Sequence, residues 1–155
     1  MLHVRLQEYK FGSVSRANEI ITWIKTQKYT PYNTLIDEFE IGGIKYKFIY
    51  SRTDKRNSRL ECNGNIIAKA HLKKLHFTIT YPVEINFSGR ELVLKKVLFR
   101  RKYNVFADDK KTGSIYHKFF GLNIDLDNTI SDEIQVFIGL VCLDFWNIIF
   151  TDYSG

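Results

Sequence analysis

The chain has 155 residues, of which 45% are hydrophobic and 15% aromatic, and its formal net charge is +6. A chain of this length forms one domain with a sizeable core, and so many aromatic residues exclude an intrinsically disordered protein. Cys62 and Cys142 are isolated and far apart, so neither a cysteine metal site nor a disulfide framework is expected. Residues 1–8 hold no continuous apolar run, so we expect no signal peptide. We predict a single β-rich domain over residues 1–155.

The first third of the chain contains two candidate elements. The segment from Leu2 to Tyr9 fits a strand. The segment from Ser15 to Gln27 favours a short amphipathic helix, which Ser15 would cap and whose apolar stripe would include Trp23. The run from Ile20 to Ile24 fits a strand nearly as well, because it is rich in β-branched residues. Both interpretations stay open, with the helix preferred.

Residues 38–126 are typical of short strands joined by tight turns. Pairs of alternating segments flank residues that favour such turns, and Asn63-Gly64 is the strongest signal because both residues tolerate a positive φ. The four predicted hairpins are Glu38–Ile41 with Ile44–Tyr50, Leu60–Cys62 with Asn65–Ala70, Val83–Phe87 with Glu91–Leu98, and Lys102–Ala107 with Ser114–Phe119, the last joined by residues 108–113. Two further strands are predicted at Leu75–Ile79 and Leu122–Leu126.

The stretch from Asp132 to Phe150 predicts a helix that is apolar around nearly its whole circumference. Ser131 and two acids in the first turn are typical of a helix start. A helix that is apolar all round must be surrounded, and this run is shorter than the ~20 apolar residues of a membrane span. A sheet wrapped around the helix would cover it and leave no exposed edge. We therefore predict a mainly β fold, an antiparallel meander closed into a barrel around a buried hydrophobic helix (about residues 132–150).

Five segments carry a resemblance to a known family: Glu91–Lys96, Tyr103–Phe106, Gly113–Ile115, Asn123–Asp125 and Ile138–Asp144. Their order and character resemble the tubby C-terminal-like superfamily, which includes LURP-one-related and phospholipid-scramblase-like proteins. The resemblance is one of pattern and covers about residues 60–153. It implies a twelve-stranded barrel closed around a C-terminal hydrophobic helix. It also implies an anionic ligand, since better-known members bind phosphoinositide head groups or act at membranes.

Positive charge is concentrated in the middle of the chain. Between Lys69 and Lys118 there are twelve Lys or Arg against four acids, whereas the residues after Lys118 include no Lys or Arg. Arg binds phosphate groups bidentately and Lys binds them as a point charge. The aromatic residues Phe99 and Tyr103 interleave with these cations, as on a membrane-binding or nucleic-acid-binding surface. A solubilising face with lysines that protect a strand edge explains the same cluster. The candidate ligand-binding residues are Lys73, Lys74, Lys95, Lys96, Arg100, Arg101 and Lys102.

Other residue types give no indication of catalysis. Neither a catalytic motif nor a nucleotide-binding fingerprint occurs, so we predict no catalytic residue, no metal ligand and no cofactor. His71 and His76 would face opposite sides of a continuous strand. Asp125 and Asp127 share a face, and a strand end that leads into a helix explains them more simply than a hydrolase or a divalent-ion site.

These observations favour a non-enzymatic binding domain. Its predicted ligand is anionic, such as a phospholipid head group, and it would be held by the basic residues. One alternative is a nucleic-acid-binding module, which is less favoured. Another is an interaction protein of the inhibitor or immunity type, whose partner is a protein and which has no small ligand. We expect a cytoplasmic protein, or one peripheral to a membrane, without a transmembrane segment.

Overall fold

The computed structural model describes residues 1–7, 11–27, 34–51, 57–73, 82–118 and 121–152. These form twelve strands and one helix. The strands are β1 (Leu2–Gln7), β2 (Phe11–Arg16), β3 (Glu19–Gln27), β4 (Thr34–Ile41), β5 (Ile44–Ser51), β6 (Asn57–Cys62), β7 (Asn65–Leu72), β8 (Val83–Phe87), β9 (Arg90–Lys96), β10 (Lys102–Ala107), β11 (Lys110–Lys118) and β12 (Gly121–Asp125). The helix is α1 (Asp132–Asp152).

The sheet closes on itself. Each strand pairs antiparallel with its neighbours in the chain, and β1 pairs with β12 through registers such as Leu2 with Ile124 and Val4 with Leu122. Closure leaves no strand edge unpaired. The predicted antiparallel meander, wrapped into a barrel around a C-terminal helix, is therefore confirmed.

Five two-residue turns lie at one end of the barrel, which we call the turn end; the opposite end is the loop end. Both residues of each turn have a positive φ, which is the geometry of type I′ hairpins. The turns are Ala17-Asn18, Gly42-Gly43, Asn63-Gly64, Ser88-Gly89 and Asp108-Asp109. The four predicted hairpins are thus confirmed, although the second arm of the third ends at Lys96 and not at the predicted Leu98. The fourth predicted connection was too long, because Asp108 and Asp109 alone turn the chain and residues 110–113 already belong to β11.

The segment from Ser15 to Gln27 is not a helix, and the preferred prediction was wrong. A turn at Ala17-Asn18 divides it between β2 and β3. In β3 the side chains of Thr22 and Ile24 are buried while that of Trp23, between them, is 57% exposed. This is the period-two pattern of a strand. Ser15 lies within β2, where the register against β3 shifts between Val14 and Ser15, and it therefore caps no helix.

Helix α1 enters the barrel from the turn end and fills its interior. Its side chains from Ile134 to Cys142 are all buried, as predicted for a helix that is apolar all round. Phe137 meets Phe48 of β5 edge to face, with 5.7 Å between ring centroids. Gln135, the polar member of this buried run, donates its side-chain amide to the Ile130 carbonyl over 2.9 Å. The helix ends at Asp152, two residues beyond the predicted end.

The helix start is tied to the surrounding sheet. Arg16, beside the β2–β3 turn, donates two hydrogen bonds to the Asp132 carboxylate, over 2.6 and 3.2 Å. This contact is partly exposed and adds little stability, but it holds the first turn of α1 at the rim of the barrel. The predicted strand at Leu75–Ile79 and the predicted strand ends at Tyr9 and Phe119 lie outside the described residues.

Candidate functional site

Five of the seven candidate basic residues come together around one connection at the loop end. Strands β9 and β10 pair, with Lys96 opposite Tyr103 and Lys95 opposite Asn104. The Val97 amide donates to the Lys102 carbonyl over 2.9 Å, which closes the connection between the strands. We call residues 95–102 the basic turn. It holds Lys95, Lys96, Arg100, Arg101 and Lys102 within one supersecondary unit.

Two of these lysines lie on the outer face of the barrel against aromatic rings. The Lys95 ammonium lies 5.0 Å from the ring centroid of Phe106, and the Lys102 ammonium lies 4.8 Å from that of Tyr116. Cation–π contacts of this kind hold a long side chain in place while its charge still faces solvent. A hydrogen bond with Lys102 lowers the pKa of the Tyr116 hydroxyl. The outer face thus presents ordered positive charge.

Lys96 occupies the opposite face from its neighbour Lys95. Strand alternation places Lys96 on the same side as Leu94, which is fully buried. Partial burial lowers the pKa of the Lys96 ammonium. His117 of β11 shares that inner side with Ile115 and is half-buried. His117 is not among the candidate residues predicted from the sequence. The alternation from buried Ile115 to His117 was the signal that could have placed it there.

The environment of His117 is positive. Its backbone amide donates to the Arg101 carbonyl over 2.8 Å. Burial, followed by the charges of Arg101 and Lys96, lowers the pKa of its imidazole from 6.5 to about 4. The positive charges of Arg101 and Lys96 therefore disfavour protonation of the His117 ring.

This shift predicts a dependence of stability on pH. The unfolded chain protonates His117 near pH 6.5, whereas the folded protein resists protonation until about pH 4. The stability contributed by the neutral ring is therefore present above pH 6.5 and is lost as the pH falls from 6.5 to about 4. Allowing for solvent screening of a half-exposed group, we expect a loss of about 1–2 kcal/mol.

Urea denaturation of the wild type and of His117→Gln across this pH window tests the expectation. The wild type should lose more stability than the variant on acidification, since all other titrating groups are common to both proteins. An equal loss of unfolding free energy in the two proteins on acidification would contradict this expectation.

The remaining two candidate residues do not join the basic turn. Lys73 follows β7, so β8 separates it from β9, and its ammonium lies 3.6 Å from the Glu84 carboxylate. Lys74 lies outside the described residues. The placement of Tyr103 on a binding surface was also wrong. Its side chain is buried on the inner face beside Val105, because alternation along β10 turns it inward.

The tip of the basic turn is apolar. Leu98 is 52% exposed, and Phe99 is fully exposed with a backbone φ of 58°. Arg100 and Arg101 follow directly and are also exposed. An apolar tip is thus flanked on both sides by cations.

Of the two acidic candidates, Asp125 is exposed at the end of β12 and Asp127 has a structural role. Asp127 accepts a hydrogen bond from the Thr129 amide over 2.9 Å in the connection to α1, and Asp132 binds Arg16. Within the described ranges, no group of three His, Cys, Asp or Glu residues could hold a metal ion. His76 lies outside those ranges. A cleft of about 360 Å³ opens at the turn end, far from the basic turn. Its lining residues are Ile67, Phe87, Ser88, Arg90, Thr129, Ser131, Glu133 and Ile134.

Comparison with models of known protein families, with curated proteins and with solved structures finds no match to this chain. The resemblance to the tubby-like group therefore stays a prediction. In the part of the chain that the structure describes, no helix is long and apolar enough to cross a membrane.

Proposed function

We propose that the protein is a non-enzymatic binding domain that holds a phosphate-bearing anionic ligand, such as a phospholipid head group, at the basic turn. The observation that carries the proposal is the unbalanced charge of four residues of this turn, Lys95, Arg100, Arg101 and Lys102. Among the described residues, no carboxylate lies within 4 Å of Lys95, Arg100, Arg101 or Lys102. Guanidinium and ammonium groups without acidic partners are the usual phosphate ligands.

One hairpin shows what a solubilising face with paired charges looks like in this protein. On the β4–β5 hairpin, Lys47 lies 3.8 Å from the Glu38 carboxylate, and Lys45 stands opposite Glu40 in the register. Cations there alternate with acids across the strands. Among the described residues, Lys95, Arg100, Arg101 and Lys102 lack this pairing. Protection of a strand edge is not needed in a closed barrel. Both observations favour a ligand over the solubilising alternative.

The proposal predicts that reversing charge at the basic turn strongly weakens binding to anionic lipid. Each basic residue close to an anionic membrane contributes about 1 kcal/mol, so Arg100→Glu with Arg101→Glu should weaken binding at least about 30-fold. Co-sedimentation with phosphatidylcholine vesicles, with and without phosphatidylserine, measures the effect.

The matched control is Lys110→Glu with Lys111→Glu at the opposite end of the barrel. Each double reversal replaces two positive charges by two negative ones and lowers the net charge of the chain from +6 to +2, so both variants carry the same net charge. The control should bind like the wild type apart from a small long-range effect. Equal weakening in both variants would show that net charge alone is responsible and would count against a site.

A cytoplasmic protein would meet its ligand at the inner leaflet, which carries the anionic lipids. This is the peripheral location we propose. Nucleic acid as the ligand predicts a different result, namely binding to DNA or RNA that falls steeply with added salt.

A protein partner is the second candidate, and exposed apolar residues on the outer face favour it. Ile20 and Trp23 on β3, Ile44 on β5 and Ile66 on β7 are each roughly half exposed. Three of them, Ile20, Ile44 and Ile66, stand at or next to the first residue of a strand that starts at the turn end. Apolar residues grouped in this way are typical of protein interfaces. A complex of defined stoichiometry that Trp23→Ser disrupts would support this alternative.

A further inference from the structure

We infer that Leu98 and Phe99 insert into the interfacial layer of an anionic bilayer while the surrounding cations contact its phosphates. The ligand would then be a membrane surface rather than a soluble phosphate compound. This inference rests on the proposed function and names the source of its anion.

The backbone of Phe99 supports a functional role. A bulky residue with a φ of 58° is unfavourable, because its Cβ approaches the carbonyl oxygen. Other non-glycine residues with positive φ in the described ranges are Ala17, Asn18, Asn63, Ser88, Asp108 and Asp109, all small or polar. Phe99 alone among them is large and apolar. Strain of this kind is often retained at binding sites.

Phe99 is too exposed for packing to explain why a phenylalanine stands at this position. Its ring is fully accessible to solvent, and the neighbouring Leu98 is half exposed. A ring that touches little of the protein contributes little to the fold. Glycine would suit the backbone better and would remove the apolar exposure. The fold therefore does not require phenylalanine at this position.

The placement of the cations matches an interfacial contact. Arg100 and Arg101 follow the tip, and Lys102 closes the turn opposite Val97. Lys95 lies two residues before Val97, so it is about 7 Å further from the tip along the strand than Val97 is. Apolar side chains of interfacial elements reach about 5–10 Å into the boundary of head groups and acyl chains. With the tip at this depth, the cations would stand at the level of the phosphates.

A soluble anion or a nucleic acid would use the cations but has less need of the tip. Soluble phosphate compounds offer no apolar layer for Leu98, and bases stacked on Phe99 would leave Leu98 in water. A bilayer offers both layers at the required depths. Charge and apolar exposure together therefore favour the membrane.

The test is Phe99→Gly, with Phe99→Trp as the conservative variant. Glycine accepts the positive φ, so this variant should fold at least as stably as the wild type. Its binding to phosphatidylserine-containing vesicles should weaken about 10-fold to 100-fold, the range expected for loss of one buried phenyl group. Its binding to inositol hexakisphosphate, a soluble polyanion, should be unchanged. Because the chain already holds Trp23 and Trp146, the comparison is with the wild type: brominated lipid should quench the fluorescence of Phe99→Trp more strongly than that of the wild type.

Several results would overturn the inference. If Phe99→Gly bound vesicles as strongly as the wild type, insertion of Phe99 would be excluded. The proposed function would still stand if reversing the charges of Arg100 and Arg101 weakened binding. A parallel loss of polyanion binding in Phe99→Gly would mean that Phe99 shapes the anion site without insertion. A wild type that binds nucleic acid but not vesicles would exclude the membrane. A wild type that binds neither vesicles nor the polyanion would overturn the proposed function itself.

Discussion

Replacing Phe137 by alanine is expected to lower the free energy of unfolding by about 3–5 kcal/mol, the usual cost of removing a buried aromatic ring. Phe137 is fully buried on α1 and packs edge to face against Phe48. The helix is enclosed by strands that pair all round the barrel. Such an enclosure has little freedom to collapse into the cavity, so the loss should lie toward the upper part of the range.

Urea denaturation followed by circular dichroism measures this loss. Ile66→Ala is the control, because Ile66 is half exposed on the outer face of β7. The control should cost well under half as much as Phe137→Ala. Similar losses for the two variants would contradict the burial of α1 inside the barrel.

Gly113→Ala is expected to destabilise the protein by about 1–3 kcal/mol, although alanine usually suits a strand interior better than glycine. A Cβ on residue 113 would overlap with the Asp125 carbonyl oxygen and would lie 2.8 Å from Leu126 Cδ2. The first of these atoms belongs to backbone that pairs with β11, so it cannot move without disturbing the sheet. The expected loss comes from steric overlap, since the φ of Gly113 is not positive.

The matched comparison is Gly64→Ala in the β6–β7 turn. Nothing lies within 4 Å of a Cβ built on Gly64, but its φ is +78°. Its cost should therefore come from the left-handed backbone alone, about 1–2 kcal/mol. Leu126→Ala removes one of the two overlapping groups. Gly113→Ala should therefore cost less stability in a Leu126→Ala background than in the wild type, whereas the cost of Gly64→Ala should be the same in both backgrounds. A stabilising Gly113→Ala would show that the close approach of β11 and the chain after β12 is wrong.

The two ends of the barrel differ in character. At the turn end, tight turns and the start of α1 are held together by contacts such as Arg16 with Asp132. At the loop end, the basic turn carries charged and apolar side chains into solvent. Binding residues are often found on loops that a rigid scaffold positions. This division is consistent with a ligand at the loop end.

Local sequence patterns predicted the helix and the four central hairpins because their causes are local. A run that is apolar all round from Ile134 to Leu143 can only be buried, whatever surrounds it. Asn63-Gly64 forms a type I′ turn through its own backbone preference. The segment from Ser15 to Gln27 was misassigned because its apolar residues fit both periods, and the turn at Ala17-Asn18 has no glycine to mark it.

The sequence by itself therefore determined the mainly β class, the buried helix and the clustering of cations, since residues 95–102 are neighbours along the chain. Tertiary structure alone decided how that cluster is arranged. Pairing between strands turns Lys95 outward and Lys96 inward, and it buries Tyr103. Pairing also brings His117 to the rim and leaves Lys73 beside Glu84. Register joins residues that are distant in the chain, and side-chain direction depends on it, so neither can be read from the local pattern.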